Sequence, residues 1–201
     1  MTEEEKEEIQ IFPFIEGERI DLLAPNSKWI TLYCKWHNNP EVRHFARHVM
    51  PRTPEEVKKW FEPPSEHGVK EGVYFTIYHK NDKRPIGSIG FNRINWINRN
   101  AFIGALIGEP DYWGKGLVGE AAKMLINYGF TELNFHKIYA TIINPNKRSL
   151  RAAEKLGFQQ EGLLKEDMYV DGKYVDFHQF GLFRRDWLKR EKQTRTTIHF
   201  F

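Results

Sequence analysis

Tyr112-Trp113-Gly114-Lys115-Gly116-Leu117-Val118-Gly119-Glu120-Ala121 places three glycines within six residues, directly before an apolar-periodic run. A tight turn comes first, and the helix that it feeds follows at once. The opening amides of a helix have no internal acceptor and lie at the positive end of its dipole. Glycines at that point let a phosphate-bearing group come close to those amides. The stretch predicts a strand–turn–helix unit. Val118, Ala121, Ala122, Leu125 and Gly129 share one face of a helix running to about residue 132.

Downstream, residues 138–143 form a continuous apolar run, the pattern of a strand buried on both faces. Residues 146–156 read as a short helix, capped by Asn146 and stopped by Gly157. Two further strands, 158–170 and 174–183, flank Asp171-Gly172, a two-residue hairpin signal. Upstream, residues 19–23 read as a strand. Ser27 then stands where a helix cap belongs, before the stripe Trp29, Leu32, Tyr33, Trp36, and Asn38-Asn39-Pro40 is read as a stop. Thr53-Pro54-Glu55-Glu56 opens a second helix with Val57, Trp60 and Phe61 on its apolar face and Pro63-Pro64 after it. Residues 73–79, 85–91 and 100–107 read as strands. The order predicts an α+β fold: a single mixed, mostly antiparallel central sheet of about seven strands flanked by about four helices.

The 201 residues carry no repeat, linker or low-complexity block. One domain is expected over residues 18–187, after a flexible acidic N-terminus at 1–17 and before a basic tail at 188–201 whose last apolar residues are loose. A hydrophobic share of 40% suffices for a sizeable core, and a net charge of +3 suits an anionic ligand without the basic excess of a nucleic-acid binder. Cys34 is the single cysteine, so no internal disulfide forms; it reads as a small buried hydrophobe in a reducing, cytoplasmic compartment. No apolar run is long enough to span a bilayer, and the glutamate-rich start is not a secretory signal.

A second segment, Asn144-Pro145-Asn146-Lys147-Arg148-Ser149 through Lys155-Leu156-Gly157-Phe158, follows the glycine turn by about thirty residues. Together the two resemble the GNAT family of acetyl-CoA-dependent N-acetyltransferases over roughly residues 18–187. Trp113 stands in the Gln/Arg place of that family's pyrophosphate loop, and Val118 in its last small place. Trp-Gly-Lys-Gly, Asn146-x-x-Ser149, Glu161-Gly162 and the run from Asp171 to Asp176 are similar to the branch holding the ribosomal-protein N-terminal acetyltransferases.

The resemblance implies transfer of an acetyl group from acetyl-CoA to a primary amine, a protein N-terminus among the choices, by direct attack in a ternary complex. Gly114, Lys115, Gly116, Leu117, Val118 and Gly119, with Trp113, would hold the pyrophosphate. The backbone of Leu106, Ile107 and Gly108 would pair with the pantetheine arm. Asn146 would bond that arm, cap its helix, or both. No metal, nucleic acid or membrane partner is implied, and a homodimer is admitted. Holding amine and thioester together supplies most of the acceleration.

The acid and base are less regular. Many family members carry a tyrosine where this chain has Ala153, and a glutamate where it has Phe102. Ser149 is the alternative acid, better suited to orienting the thioester. Glu161 leads the base candidates, ahead of Glu109, Asp111 and His178; His136 and Lys137 read as a turn pair. Trp36, Phe45, Trp60, Tyr74, Phe91, Trp96 and Tyr169 are candidates for lining an acceptor pocket between the first helices and the late hairpin. Two competing readings stay open: a non-catalytic acyl-CoA-binding domain, and a nucleotide-binding protein using Gly114-x-Gly116-x-x-Gly119. A polyamine, amino acid or drug also remains open as acceptor.

Overall fold

The computed structural model of the chain describes residues 10–46, 49–62 and 71–198. The acidic start, Pro63-Pro64, the last three residues and the side chain of Phe45 lie outside the described residues. In order the elements are β1 (Pro13–Glu16), β2 (Ile20–Leu23), α1 (Ile30–Asn38), α2 (Pro40–Ala46), α3 (Pro54–Lys58), β3 (Val73–His79), β4 (Arg84–Asn95), β5 (Asn100–Ile107), α4 (Leu117–Thr131), β6 (Lys137–Ile143), α5 (Lys147–Leu156), β7 (Gln159–Val170), β8 (Lys173–Phe183) and α6 (Arg184–Ile198). The strands form one sheet in the order β1-β2-β3-β4-β5-β6-β8-β7. Its neighbours are antiparallel except β5 and β6, which α4 joins as a parallel crossover.

Alternation along the strands builds a core on each face. Leu22, Ile77 and Ile107 belong to the cluster under α4 with Leu125, Ile126 and Phe130. Their sequence neighbours Leu23, Tyr78 and Leu106 belong to the cluster under α1 and α3 with Trp29, Tyr33, Trp36 and Val57. Adjacent residues of a strand point to opposite faces, so α4 and α1 sandwich the sheet.

Several sequence expectations change. Residues 13–16, assigned to a flexible start, form β1, which pairs with β2 and lays Phe14 against Phe75 and Tyr128. Asn38-Asn39-Pro40 ends α1 but opens α2: the Asn39 side chain accepts from the Glu41 amide at 2.9 Å, and Pro40 fits a first helical turn. The cap at the first helical segment is Asn26, which accepts from the Lys28 amide, and not Ser27. Residues 188–198, assigned to a tail, continue α6, which Trp187 anchors in the core. In β6, Ile138, Ile142 and Ile143 are buried while Tyr139, Ala140 and Thr141 are only partly so.

That partial exposure has a cause in the sheet. β5 pairs with β4 along its length, but with β6 only at Asn100, Ala101 and Phe102. Beyond Phe102 the two strands part. Gly104 and Ala105 are exposed although β5 is the fifth strand of eight. An opening therefore runs into the sheet from the ends of β5 and β6, and both ends lead straight into the two motifs.

Candidate active site

The chain leaves β5 at Ile107, makes a short turn over Pro110–Tyr112 and enters α4. Gly114 and Gly116 have φ of 76° and 78°, the left-handed region where a side chain is strained. Gly116 is the residue before α4, with no side-chain cap. Among the described residues, the amides of Gly114, Lys115, Gly116, Leu117, Val118 and Gly119 donate to no protein acceptor. The loop is fixed from behind: Arg19 Nη1 donates to the Lys115 carbonyl at 3.0 Å, and Arg19 Nε pairs with Glu120 at 2.8 Å. A row of unpaired amides at a helix start suits an anionic group such as a diphosphate.

Trp113 plays a part that its place in the motif did not suggest. Its indole N–H donates to the Ile107 carbonyl at 2.9 Å, tying the loop to the end of β5. The register also revises which backbone faces the opening. The Gly108 amide donates to Ile86 of β4, so by alternation Leu106 pairs with β4 as well. The groups directed toward β6 belong to Ile103, Ala105 and Ile107. Of the expected trio Leu106, Ile107 and Gly108, only Ile107 faces the opening. Gly108 instead admits the Trp36 ring, which lies against its Cα.

Asn146 caps α5, its Oδ1 accepting from the Ser149 amide at 3.1 Å. Ser149 is half-buried in the first turn, and its hydroxyl has no protein partner among the described residues. Glu161 does not stand free: it pairs with Lys137 Nζ at 2.7 Å, and Lys137 is the β6 residue opposite Asn100, where β5 and β6 first pair. Lys137, expected as a turn residue, opens β6 and lies over the Tyr139 and Phe183 rings. His178 meets Gln160 at 3.1 Å through Nδ1 and stacks on Phe180. Asp111 is exposed.

Glu109 is a brace. Its carboxylate accepts from Trp36 Nε1 at 2.8 Å and Lys35 Nζ at 3.1 Å, and pairs with Arg84 at 3.2 Å. Burial pushes its proton affinity up, but the hydrogen bonds from Trp36 and Lys35 and the two cations outweigh it and hold the group below its ordinary value. A carboxylate so occupied is a poor base. A folded pKa below the unfolded one gives stability above the unfolded value that is lost as pH falls through the folded one. Between about pH 5 and pH 3, thermal denaturation is expected to show a larger loss for the wild type than for Glu109→Gln.

The aromatic candidates separate. Trp36 and Phe91 are buried core residues, and Trp96 packs on Phe135. Trp60 packs on His37, Tyr74 covers Gly90, and Tyr169 stands with Tyr174 near the hairpin tip. His44 of α2 approaches Asp171 of that tip at 3.7 Å, so helix and hairpin do meet beside the opening.

A family model described as "Acetyltransferase (GNAT) domain" matches residues 19–159. The chain belongs to the GNAT acetyltransferase family. The spermidine N(1)-acetyltransferase of Escherichia coli is 30% identical over 152 residues, 71% of this chain and 81% of that one. The N-acetyltransferase p20 of Bacillus licheniformis is 31% identical over 172 residues, 85% and 96% of the two chains. The fold matches the crystal structure of spermidine N-acetyltransferase from Vibrio cholerae in complex with CoA and spermine, with a TM-score of 0.76 at 24% identity, covering 85% and 98%. This chain is thus an acetyl-CoA-dependent N-acetyltransferase acting on an amine. The reading as a nucleotide-binding protein falls: β5, ahead of the glycines, is antiparallel to β4 and shares only three ladder positions with β6.

Sequence reasoning missed the Arg19–Glu120 support and the Glu109 brace. The Arg19–Glu120 pair and the contacts of Glu109 with Lys35 and Trp36 join residues more than seventy positions apart, and no local pattern marks them. Among the described residues no helix is long and apolar enough to cross a membrane.

Proposed function

We propose that acetyl-CoA lies in the opening between β5 and β6, with its pyrophosphate on the amides of residues 114–119, and that the acceptor is the α-amine of a polypeptide. The observation that carries the first half is the run of six amides that, among the described residues, have no protein acceptor at the mouth of that opening. Pantetheine then extends along β5 as an added strand, facing Ile103, Ala105 and Ile107. The Ser149 hydroxyl orients the thioester, and the neutral amine attacks its carbonyl carbon. The departing proton leaves through solvent, since Glu109 and Glu161 are both occupied by cations.

The acceptor follows from charge. Glu109, Glu161 and Asp176 border the opening and the hairpin, and each faces a cation: Lys35 and Arg84, Lys137, and Lys165; Asp171 at the hairpin tip lies 3.7 Å from the His44 imidazole. A polyamine carries further ammonium groups that need uncompensated carboxylates, whereas a peptide N-terminus brings one amine. The second reading, a polyamine acceptor, is favoured by the likeness to the spermidine N(1)-acetyltransferase of Escherichia coli.

The test is acetylation of peptides with free and blocked N-termini against spermidine. Free peptides are expected to show a kcat/KM about tenfold or more above spermidine, and the reverse order establishes the polyamine reading. In the same assay Glu161→Gln is expected to keep the wild-type pH–rate profile. Loss of its acidic limb would return Glu161 to the role of base.

A further inference from the structure

At the closed end of the opening, Arg93, Phe102, Tyr139 and Lys137 stand in a row on the α1 face of the sheet. Ala101 belongs to the core under α4, so its neighbour Phe102 faces the other way, with Leu106 of the α1 cluster. Phe102 lies opposite Tyr139 of β6, and the two rings stack with centroids 5.3 Å apart and 28° between their planes. The Arg93 guanidinium lies 5.5 Å from the Phe102 centroid, and Lys137 Nζ 4.5 Å from that of Tyr139. Lys137 is matched by Glu161. Arg93 is exposed and, among the described residues, has no carboxylate partner.

A bulge sets Arg93 there. Phe91 belongs to the core under α4, so strict alternation would put Asn92 on the α1 face and Arg93 back on the α4 face. Instead the ladder between β4 and β5 shifts register between Asn92 and Asn95, and Arg93 takes a φ of 49°. Ile94 drops into the α4 core in its stead. A bulge re-aims a side chain, and here a strained backbone delivers a cation to an aromatic ring rather than a core contact.

The row stands where the two substrates would meet. The arm of the coenzyme proposed above runs along β5 from Ile107 toward Ile103, so its thioester end arrives where β5 and β6 close, beside Phe102. Leu117 of α4 and Ala153 of α5, the helices of the two coenzyme motifs, lie in the core of the opposite face. An acceptor that reaches the thioester without displacing the coenzyme comes from the α1 face, over the aromatic pair. There it meets one unmatched guanidinium. A cation in that position repels further ammonium groups of the acceptor and attracts a carboxylate, to which its N–H groups can bond.

We propose that Arg93 is a specificity-determining residue for the acceptor: from its place over Phe102 it bonds a carboxylate of the incoming polypeptide, so that acceptors bearing a carboxylate close behind the amine are acetylated in preference to neutral or basic ones. The inference deepens the peptide reading given above and rests on it. A peptide offers the carboxylate from two sources, an acidic side chain near its N-terminus or, in a very short acceptor, its own C-terminus.

The experiment measures kcat/KM for C-terminally amidated peptides that differ only in carrying glutamate, glutamine or lysine behind the N-terminal residue, and for a neutral dipeptide as free acid and as amide. The wild type, Arg93→Gln and Arg93→Glu are compared. The wild type is expected to favour the glutamate peptide over the glutamine one about fivefold or more, and the lysine peptide least. Arg93→Gln is expected to bring the glutamate and glutamine peptides within about twofold of each other, by lowering the value for the glutamate peptide. Arg93→Glu reverses the order in favour of lysine. If the C-terminus is the source, the gain appears instead in the free dipeptide over its amide and is lost in Arg93→Gln. Calorimetric binding of CoA is expected to be the same in all three proteins, which separates an acceptor contact from a disturbed fold. A wild type that treats all the peptides alike, with no gain from the free dipeptide, overturns the proposal and leaves the peptide reading in place. A preference that Arg93→Gln leaves unchanged does the same. If spermidine is acetylated and no peptide is, the peptide reading itself fails, and the inference with it.

Discussion

Gly116→Glu is expected to abolish coenzyme binding while the protein stays folded. A Cβ at Gly116 meets only an Arg19 nitrogen, at 3.8 Å, so the surrounding structure has room. The backbone at φ 78° disfavours a side chain by about 1 kcal/mol, a cost that a 201-residue fold tolerates. The damage falls on the ligand instead. The new carboxylate occupies the approach to six amides and meets a diphosphate of its own sign. A loss of roughly 100-fold or more in CoA affinity is expected, about 3 kcal/mol. Calorimetric titration with CoA measures it, and thermal denaturation without ligand supplies the control. A folded variant that binds CoA with unchanged affinity would remove the loop from the site.

Gly108→Ala should do the opposite, harming the fold first. The added methyl would overlap the Trp36 ring, and neither partner has room to withdraw. Trp36 is fully buried and its indole N–H is fixed by Glu109, while the Gly108 amide is fixed by Ile86. The ring must then leave its place, taking α1 away from the end of β5 and stranding the Glu109 brace. A loss of about 3 kcal/mol or more is expected, lowering Tm by about 10 °C. Trp36→Leu destabilises alone by opening a cavity, yet combined with Gly108→Ala it should cost less than the sum, because the smaller side chain accepts the methyl. Strict additivity in that cycle would show that the two residues do not share one space.

Both variants act on glycines, yet only one glycine role was legible beforehand. Three glycines before an apolar helix announce a loop that needs left-handed backbone and close approach, and Gly114 and Gly116 have that conformation. Gly108 reads locally as the interrupted end of a strand. Its reason, an indole from a helix seventy positions earlier, is a tertiary fact. Trp113 shows the same limit: its place in the motif pointed to the coenzyme, while its indole N–H holds the β5 carbonyl of Ile107. Glu161 shows it most sharply. Its sequence context made it the leading base, and the fold sets Lys137 of another strand beside it.

The amino-acid sequence alone determined the periodicity of α4, the hairpin around Asp171-Gly172, the caps at Thr53 and Asn146, the mixed sheet and the family. These rest on interactions between residues close in the chain, or on spacings that a linear pattern records. Only the tertiary structure decided that β5 and β6 part after three pairs, which backbone groups face the opening, and which carboxylates are already neutralised. Strand register and ion pairing depend on distances between segments remote in sequence, and those distances exist only once the sheet has closed around its core.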